Sequence, residues 1–178
     1  MSRKKPDHPD DTLSDVLGDD LAAELRDRLD SRLPWAVAEM GPAALERLRP
    51  EVVVTYPVHG IPGFHDHLVT HAAVKRAWVA ARERLGLRRL AFHTVSRETA
   101  EASAHFPLSH SEPEEIDVVV PVEERDLATA KRALDCYVTC EETIGRSGIK
   151  DLLPERVPFE LYDERFEPPL DDLFSSLP

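Results

Sequence analysis

The chain has 178 residues, of which 42% are hydrophobic and 31% charged, with a formal net charge of −12. That is enough for one domain with a real core, and the acidic balance argues against nucleic acid or an anionic membrane as the main partner. No apolar run approaches the ~20 residues of a membrane span, and the basic start Met-Ser-Arg-Lys-Lys-Pro has no apolar region behind it, so it is no signal peptide; the expected compartment is cytoplasmic.

Residues 1–12 are polar, with Pro6, Pro9 and several Asp, and are expected to be a loose tail. The spacing of Leu13, Val16, Leu17, Leu21, Leu25 and Leu29 predicts a helix up to Leu33, stopped by Pro34. A short helix over Ala43–Leu48 should end before Pro50. Val52–Tyr56 is β-branched and continuous, which predicts a fully buried strand of a parallel sheet. His67–Leu85 predicts a helix with Gly86 as its stop. Strands are expected at Leu90–Val95 and Ile116–Val122, separated by a long polar loop over 97–115. A helix over Glu123–Thr143, a loop over 144–157 and an edge strand at Phe159–Tyr162 complete the expected domain, which spans 13–165. Residues 166–178 are acidic and bounded by proline, and are expected to be a loosely held tail. Strands alternating with helices imply an α/β fold, Rossmann-like, with a mostly parallel sheet flanked by helices. Such sheets bind ligands at the carboxyl ends of their strands.

Cys136 and Cys140 stand four residues apart, on one face of the expected helix. Two thiols make no disulfide framework. They are expected to be buried or half-buried free thiols in a reducing compartment.

The chemistry is concentrated in Pro50-Glu-Val-Val-Val-Thr-Tyr-Pro-Val-His-Gly-Ile-Pro-Gly-Phe-His-Asp-His67. A strand runs into a Gly/Pro loop carrying His59, His65, Asp66 and His67, and a helix follows at once. Imidazole and carboxylate ligands delivered from a strand-to-helix loop suit zinc. This segment resembles the second signature of the PIG-L/LmbE-type zinc-dependent N-deacetylases, in which a strand ends in a His-Gly loop followed by Gly-His-x-Asp-His at a helix start. The resemblance extends through Ile116-Asp-Val-Val-Val-Pro-Val122 and Ala133-Leu134 to Glu142, so that it covers roughly residues 43 to 143.

By that resemblance His67 is a zinc ligand and Asp66 a partner orienting a ring nitrogen; read by themselves, His67 is a histidine capping or packing at a helix start and Asp66 a helix N-cap. Phe64 stands where the family has the His that stabilises the oxyanion, and Phe cannot donate a hydrogen bond. His65, one position on, is a candidate substitute. His59 matches the His of the His-Gly step and either lines the pocket or holds the loop. His71 lies one turn beyond His67, but Leu68 takes the place of the Glu of a metalloprotease His-Glu-x-x-His, so His71 is read as structural. His93, His105 and His110 are isolated and assigned surface or loop roles. Tyr137 and Cys140 replace the family's later His and Gln.

The family's first signature, His-Pro-Asp-Asp, supplies two metal ligands and a base. Here His8-Pro9-Asp10-Asp11 carries the same tetrapeptide, which would make His8 and Asp11 ligands and Asp10 the base. It lacks the preceding strand, and the stretch to the second signature is short by about one βαβ unit; the other reading is coincidence in an Asp- and Pro-rich tail. The resemblance implies zinc-assisted removal of an acetyl group from an N-acetylated amino sugar or glycoconjugate. The alternatives are a shortened, inactive member of the fold serving as a binding or assembly module or a gene remnant, and a metal-sensing or buffering protein using His59, His65, His67 and His71. Loss of the leading strand would expose a sheet edge and favour a homo-oligomer.

Overall fold

Three valines and a threonine form β1, Val52–Thr55, after a helix α1 over 42–48. The computed structural model describes residues 42–104 and 107–178. The tail over 1–12, the helix expected over Leu13–Leu33, and His105 lie outside the described residues.

From β1 the chain passes through a loop into α2, His65–Leu85. The helix starts two residues earlier than its apolar periodicity predicts. Gly63 in the left-handed region (φ 74°) ends the loop and Phe64, in extended conformation, is the N-cap. Asp66 is therefore inside the first turn rather than at the cap, where its charge complements the helix dipole. His71, Ala77, Trp78 and Ala81 are buried along one stripe. Gly86 (φ 68°) stops the helix as expected, and the Leu87 N–H returns to the Arg82 carbonyl at 2.9 Å. This crossover delivers β2, Arg89–His93, parallel to β1 with Val53 opposite Leu90 and Thr55 opposite Phe92.

Beyond β2 the parallel pattern stops. The chain forms a short helix α3, Arg97–Ala102, whose Ser96 hydroxyl accepts from the Thr99 N–H, and a 3₁₀ turn at Pro113–Glu115. Strand β3, Val118–Pro121, goes to the far edge of the sheet. Helix α4, Glu124–Asp135, and α5, Glu141–Ser147, follow, and β4, Arg156–Leu161, fills the gap. The order is β1-β2-β4-β3, with β4 antiparallel to both neighbours. Among the described residues the fold is mixed α/β with a four-stranded open sheet and one parallel pair, which corrects the expectation of a mostly parallel Rossmann-like sheet. The stretch expected to be an edge strand at Phe159–Tyr162 is instead central.

Asp117 explains why β4 docks there. Its carboxylate is 2% exposed and accepts from the Leu161 N–H at 3.0 Å and the Phe166 N–H at 3.3 Å, while its own N–H donates to the Phe159 carbonyl at 2.9 Å. One buried side chain thus ties the turn before β3 to β4 and to the segment beyond it. Asp117→Ala leaves one buried and one part-buried donor without their acceptor. The expected loss is about 3 kcal/mol of stability, read as a lower urea midpoint with an unchanged slope.

The single helix expected over Glu123–Thr143 is broken. Cys136, Tyr137, Val138, Thr139 and Cys140 are all weak helix formers; Tyr137 leaves the helical region (φ −83°, ψ 67°) and a 3₁₀ turn spans Val138–Cys140. Both cysteines are exposed, not buried.

Two apolar clusters lie on the sheet. One joins Leu45, Trp78, Leu87, Leu90 and Phe92 under α2; the other joins Ala91, Val118, Phe159 and Leu161 with Phe166, Leu170 and Leu173. The alternation of Leu90 and Phe92 against Ala91 sends consecutive β2 side chains to opposite faces. The acidic C-terminal segment is accordingly no loose tail: its apolar residues cover one sheet face, and Leu170 exchanges backbone hydrogen bonds with Asp117 and Val119. Among the described residues no helix is long and apolar enough to cross a membrane.

Candidate functional site

The loop between β1 and α2 is strained and close-packed. Gly60 (φ 68°), Ile61 (φ 62°) and Gly63 (φ 74°) all lie in the left-handed region. For a β-branched residue such as Ile61 that conformation costs on the order of 1–3 kcal/mol, and strain of this kind clusters at functional sites. The surroundings hold it in place: the Ile61 N–H donates to His59 Nδ1 at 3.1 Å, and the Ile61 carbonyl accepts from the Ser109 N–H at 2.8 Å. A side chain at Gly60 would meet Leu68 Cδ2 at 3.0 Å and His67 Cβ at 3.2 Å, so the glycine lets the loop lie directly against the helix start.

That close approach orients His67. Its Nδ1 lies 2.9 Å from the Gly60 carbonyl. A carbonyl only accepts, so Nδ1 carries a proton, and in the neutral ring the lone pair is on Nε2. The ring stacks on Tyr56, with centroids 3.9 Å apart and planes within 10°, and Phe64 packs edge-on against it at 5.4 Å. Phe64 is thus a wall of the His67 ring, where the family resemblance would place a hydrogen-bond donor. Burial and then the charge of Asp66 raise the Tyr56 pKa, keeping its phenol protonated at neutral pH.

The other expected residues are placed as follows. His65 and Asp66, the first two residues of α2, are exposed. His71 is buried and donates through Nδ1 to the Tyr56 carbonyl at 2.7 Å, with its ring against Phe92, so it ties α2 to the end of β1. His59 engages both nitrogens: Nδ1 accepts from Ile61, and Nε2 lies 3.5 Å from the Thr94 hydroxyl. Burial lowers its pKa, and the Glu160 and Glu115 carboxylates offset only part of that, so the ring is neutral at pH 7. Nothing in the sequence singles out Tyr56, Thr94, Ser111 and Glu160, because hydroxyls and a strand carboxylate far apart in the chain carry no spacing signal.

His67 fits one position of a metal site: a half-buried imidazole with a fixed tautomer and one lone pair unspent on the Gly60 bond. Among the described residues no group of three His, Cys, Asp or Glu side chains converges to hold an ion. The remaining ligands implied by resemblance, His8 and Asp11, and the base Asp10, lie outside the described residues. No protein-family model matches the chain, and no curated protein matches it either.

Proposed function

We propose that this chain is a cytoplasmic metal-dependent hydrolase of the PIG-L/LmbE type that removes the acetyl group from an N-acetylated amino sugar or glycoconjugate. The observation that supports it is the His67 ring, whose Nδ1–H is spent on the Gly60 carbonyl, which leaves Nε2 as the ring nitrogen that would face a metal. His67 would hold zinc together with His8 and Asp11. Bound zinc supplies a more acidic water and polarises the acyl oxygen. Asp10 would serve as the base, accepting a proton from the water that adds to the amide carbon and returning it to the nitrogen as the C–N bond breaks, so that acetate and the free amine result. Asp66, one residue before His67 at the helix start, places negative charge beside Tyr56. Phe64 offers no donor to the developing oxyanion, so exposed His65 is the candidate for that role.

The test is zinc stoichiometry in the purified, chelator-stripped and reconstituted chain, beside His8→Ala and His67→Ala. The expected result is one tightly held zinc, lost in both variants, and acetate release from N-acetylated amino sugars. Zinc indifferent to His8, or no tight zinc, sinks the catalytic reading in favour of a noncatalytic binding or assembly module, since a catalytic zinc needs three protein ligands.

A further inference from the structure

A chain of hydrogen bonds leads from the His loop across the sheet to β4. His59 Nε2 lies 3.5 Å from Thr94 Oγ1, Thr94 Oγ1 lies 2.6 Å from Ser111 Oγ, and Ser111 Oγ donates to Glu160 Oε1 at 2.5 Å. Thr94 is fully buried and Ser111 is 1% exposed. The direction of every proton follows from the two ends. The Ile61 N–H can only donate, so His59 Nδ1 is bare and its proton is on Nε2. The Glu160 carboxylate only accepts, so Ser111 donates to it. Ser111 has one proton, so Thr94 donates to Ser111 and is left to accept from His59. All protons point toward Glu160, and the neutral His59 ring has one tautomer that satisfies both of its neighbours.

We propose that Glu160 is a positioning residue for the His loop, acting through Ser111 and Thr94 to fix the tautomer of His59, and through the turn closed by His59 the ring of His67. The mechanical link is short. His59 Nδ1 holds the Ile61 N–H, Ile61 adjoins Gly60, and the Gly60 carbonyl holds His67 Nδ1. The strained φ of Ile61 needs such a restraint, because without it the peptide relaxes toward the ordinary region and carries the Gly60 carbonyl with it. The consequence for metal binding rests on the reading of His67 as a ligand; the consequence for the two imidazoles does not.

The experiment reads imidazole nitrogen shifts of the full ¹⁵N-labelled chain, metal-free at neutral pH, with zinc affinity measured in parallel. The unmodified chain is expected to show His59 protonated on Nε2 and His67 on Nδ1. In Thr94→Val, which keeps shape and removes the hydroxyl, the Ile61 N–H is left as the one restraint of the relay on His59, so the Nε2–H form loses its dominance, the His67 ring follows, and zinc affinity falls about tenfold, the scale for losing an outer partner of a ligand. Thr94→Ser restores both. Glu160→Leu, at a half-exposed position, repeats the Thr94→Val signature without opening the buried core, and decides the matter if Thr94→Val does not fold. Unchanged His59 and His67 spectra in folded Glu160→Leu overturn the proposal. Expected tautomers that respond to Thr94 and Glu160 in a chain holding no zinc support the relay and remove only the ligand role.

Discussion

Arg89→Leu is expected to destabilise the protein by about 3–5 kcal/mol and to release its C-terminal segment. The Arg89 side chain is fully buried. It forks onto Glu164 at 3.0 and 2.7 Å and donates to the carbonyls of Leu173, Ser175 and Ser176 at 2.6, 2.9 and 3.2 Å, with its guanidinium 5.5 Å from the centroid of Phe166. A buried ion pair replaced on both sides by apolar groups is often neutral, but removing one partner strands the other. Here the stranded groups include three backbone carbonyls, which no second substitution can remove. Arg89→Lys should recover little, because an ammonium lacks the planar fork that reaches a carboxylate and several carbonyls at once. Urea unfolding gives the stability. Limited proteolysis gives the location, with new cleavage expected after residue 165. A midpoint within about 1 kcal/mol of the parent, at roughly 1–3 kcal/mol per molar urea, would mean that the apolar contacts of Phe166, Leu170 and Leu173 hold the segment on their own.

That segment shows where sequence reading loses its grip. Phe166, Leu170 and Leu173 are three apolar residues among acids and prolines, with no period a strand or helix would impose, so their burial was invisible until the sheet they cover existed. Arg89 gives no local sign of burial either, since its partners are 75 to 87 residues away. The β1-α2-β2 unit was legible because its signals are local: a valine run, an apolar stripe and a stop glycine; but the valine run, expected to be fully buried, stands at the edge of the described sheet with Val54 49% exposed. The position of β4 was not, because pairing of Leu161 with Ala91 and of Phe159 with Val118 depends on Asp117, which reads in the sequence as one more acid before a strand. The His loop was legible in its residue types and its place past β1. Its wiring was not: that His59 faces Thr94 and that His67 faces Gly60 are facts of backbone path, set by three left-handed residues among four in a row.

Gly60→Ala puts that path to the test, and is expected to cost about 2 kcal/mol of stability and, with His67 holding zinc as proposed, at least tenfold in zinc affinity. Two effects add. An alanine held at φ 68° pays the left-handed penalty of roughly 1–2 kcal/mol. Its methyl would also stand 3.0 Å from Leu68 Cδ2 and 3.2 Å from His67 Cβ. Leu68 is 38% exposed and its tip can swing away, but His67 Cβ is fixed to the helix backbone, so the loop must yield instead. When it does, the Gly60 carbonyl leaves its place 2.9 Å from His67 Nδ1, and the ring is free to take either tautomer. Stability and metal affinity therefore fall together in Gly60→Ala. In Gly63→Ala they should separate: that position shares the left-handed φ, but an added Cβ meets only the His59 carbonyl at an ordinary 3.9 Å. The comparison needs one thermal melt and one zinc titration for each variant. Equal zinc affinity in the two would mean that the close approach at Gly60 does not set the His67 ring.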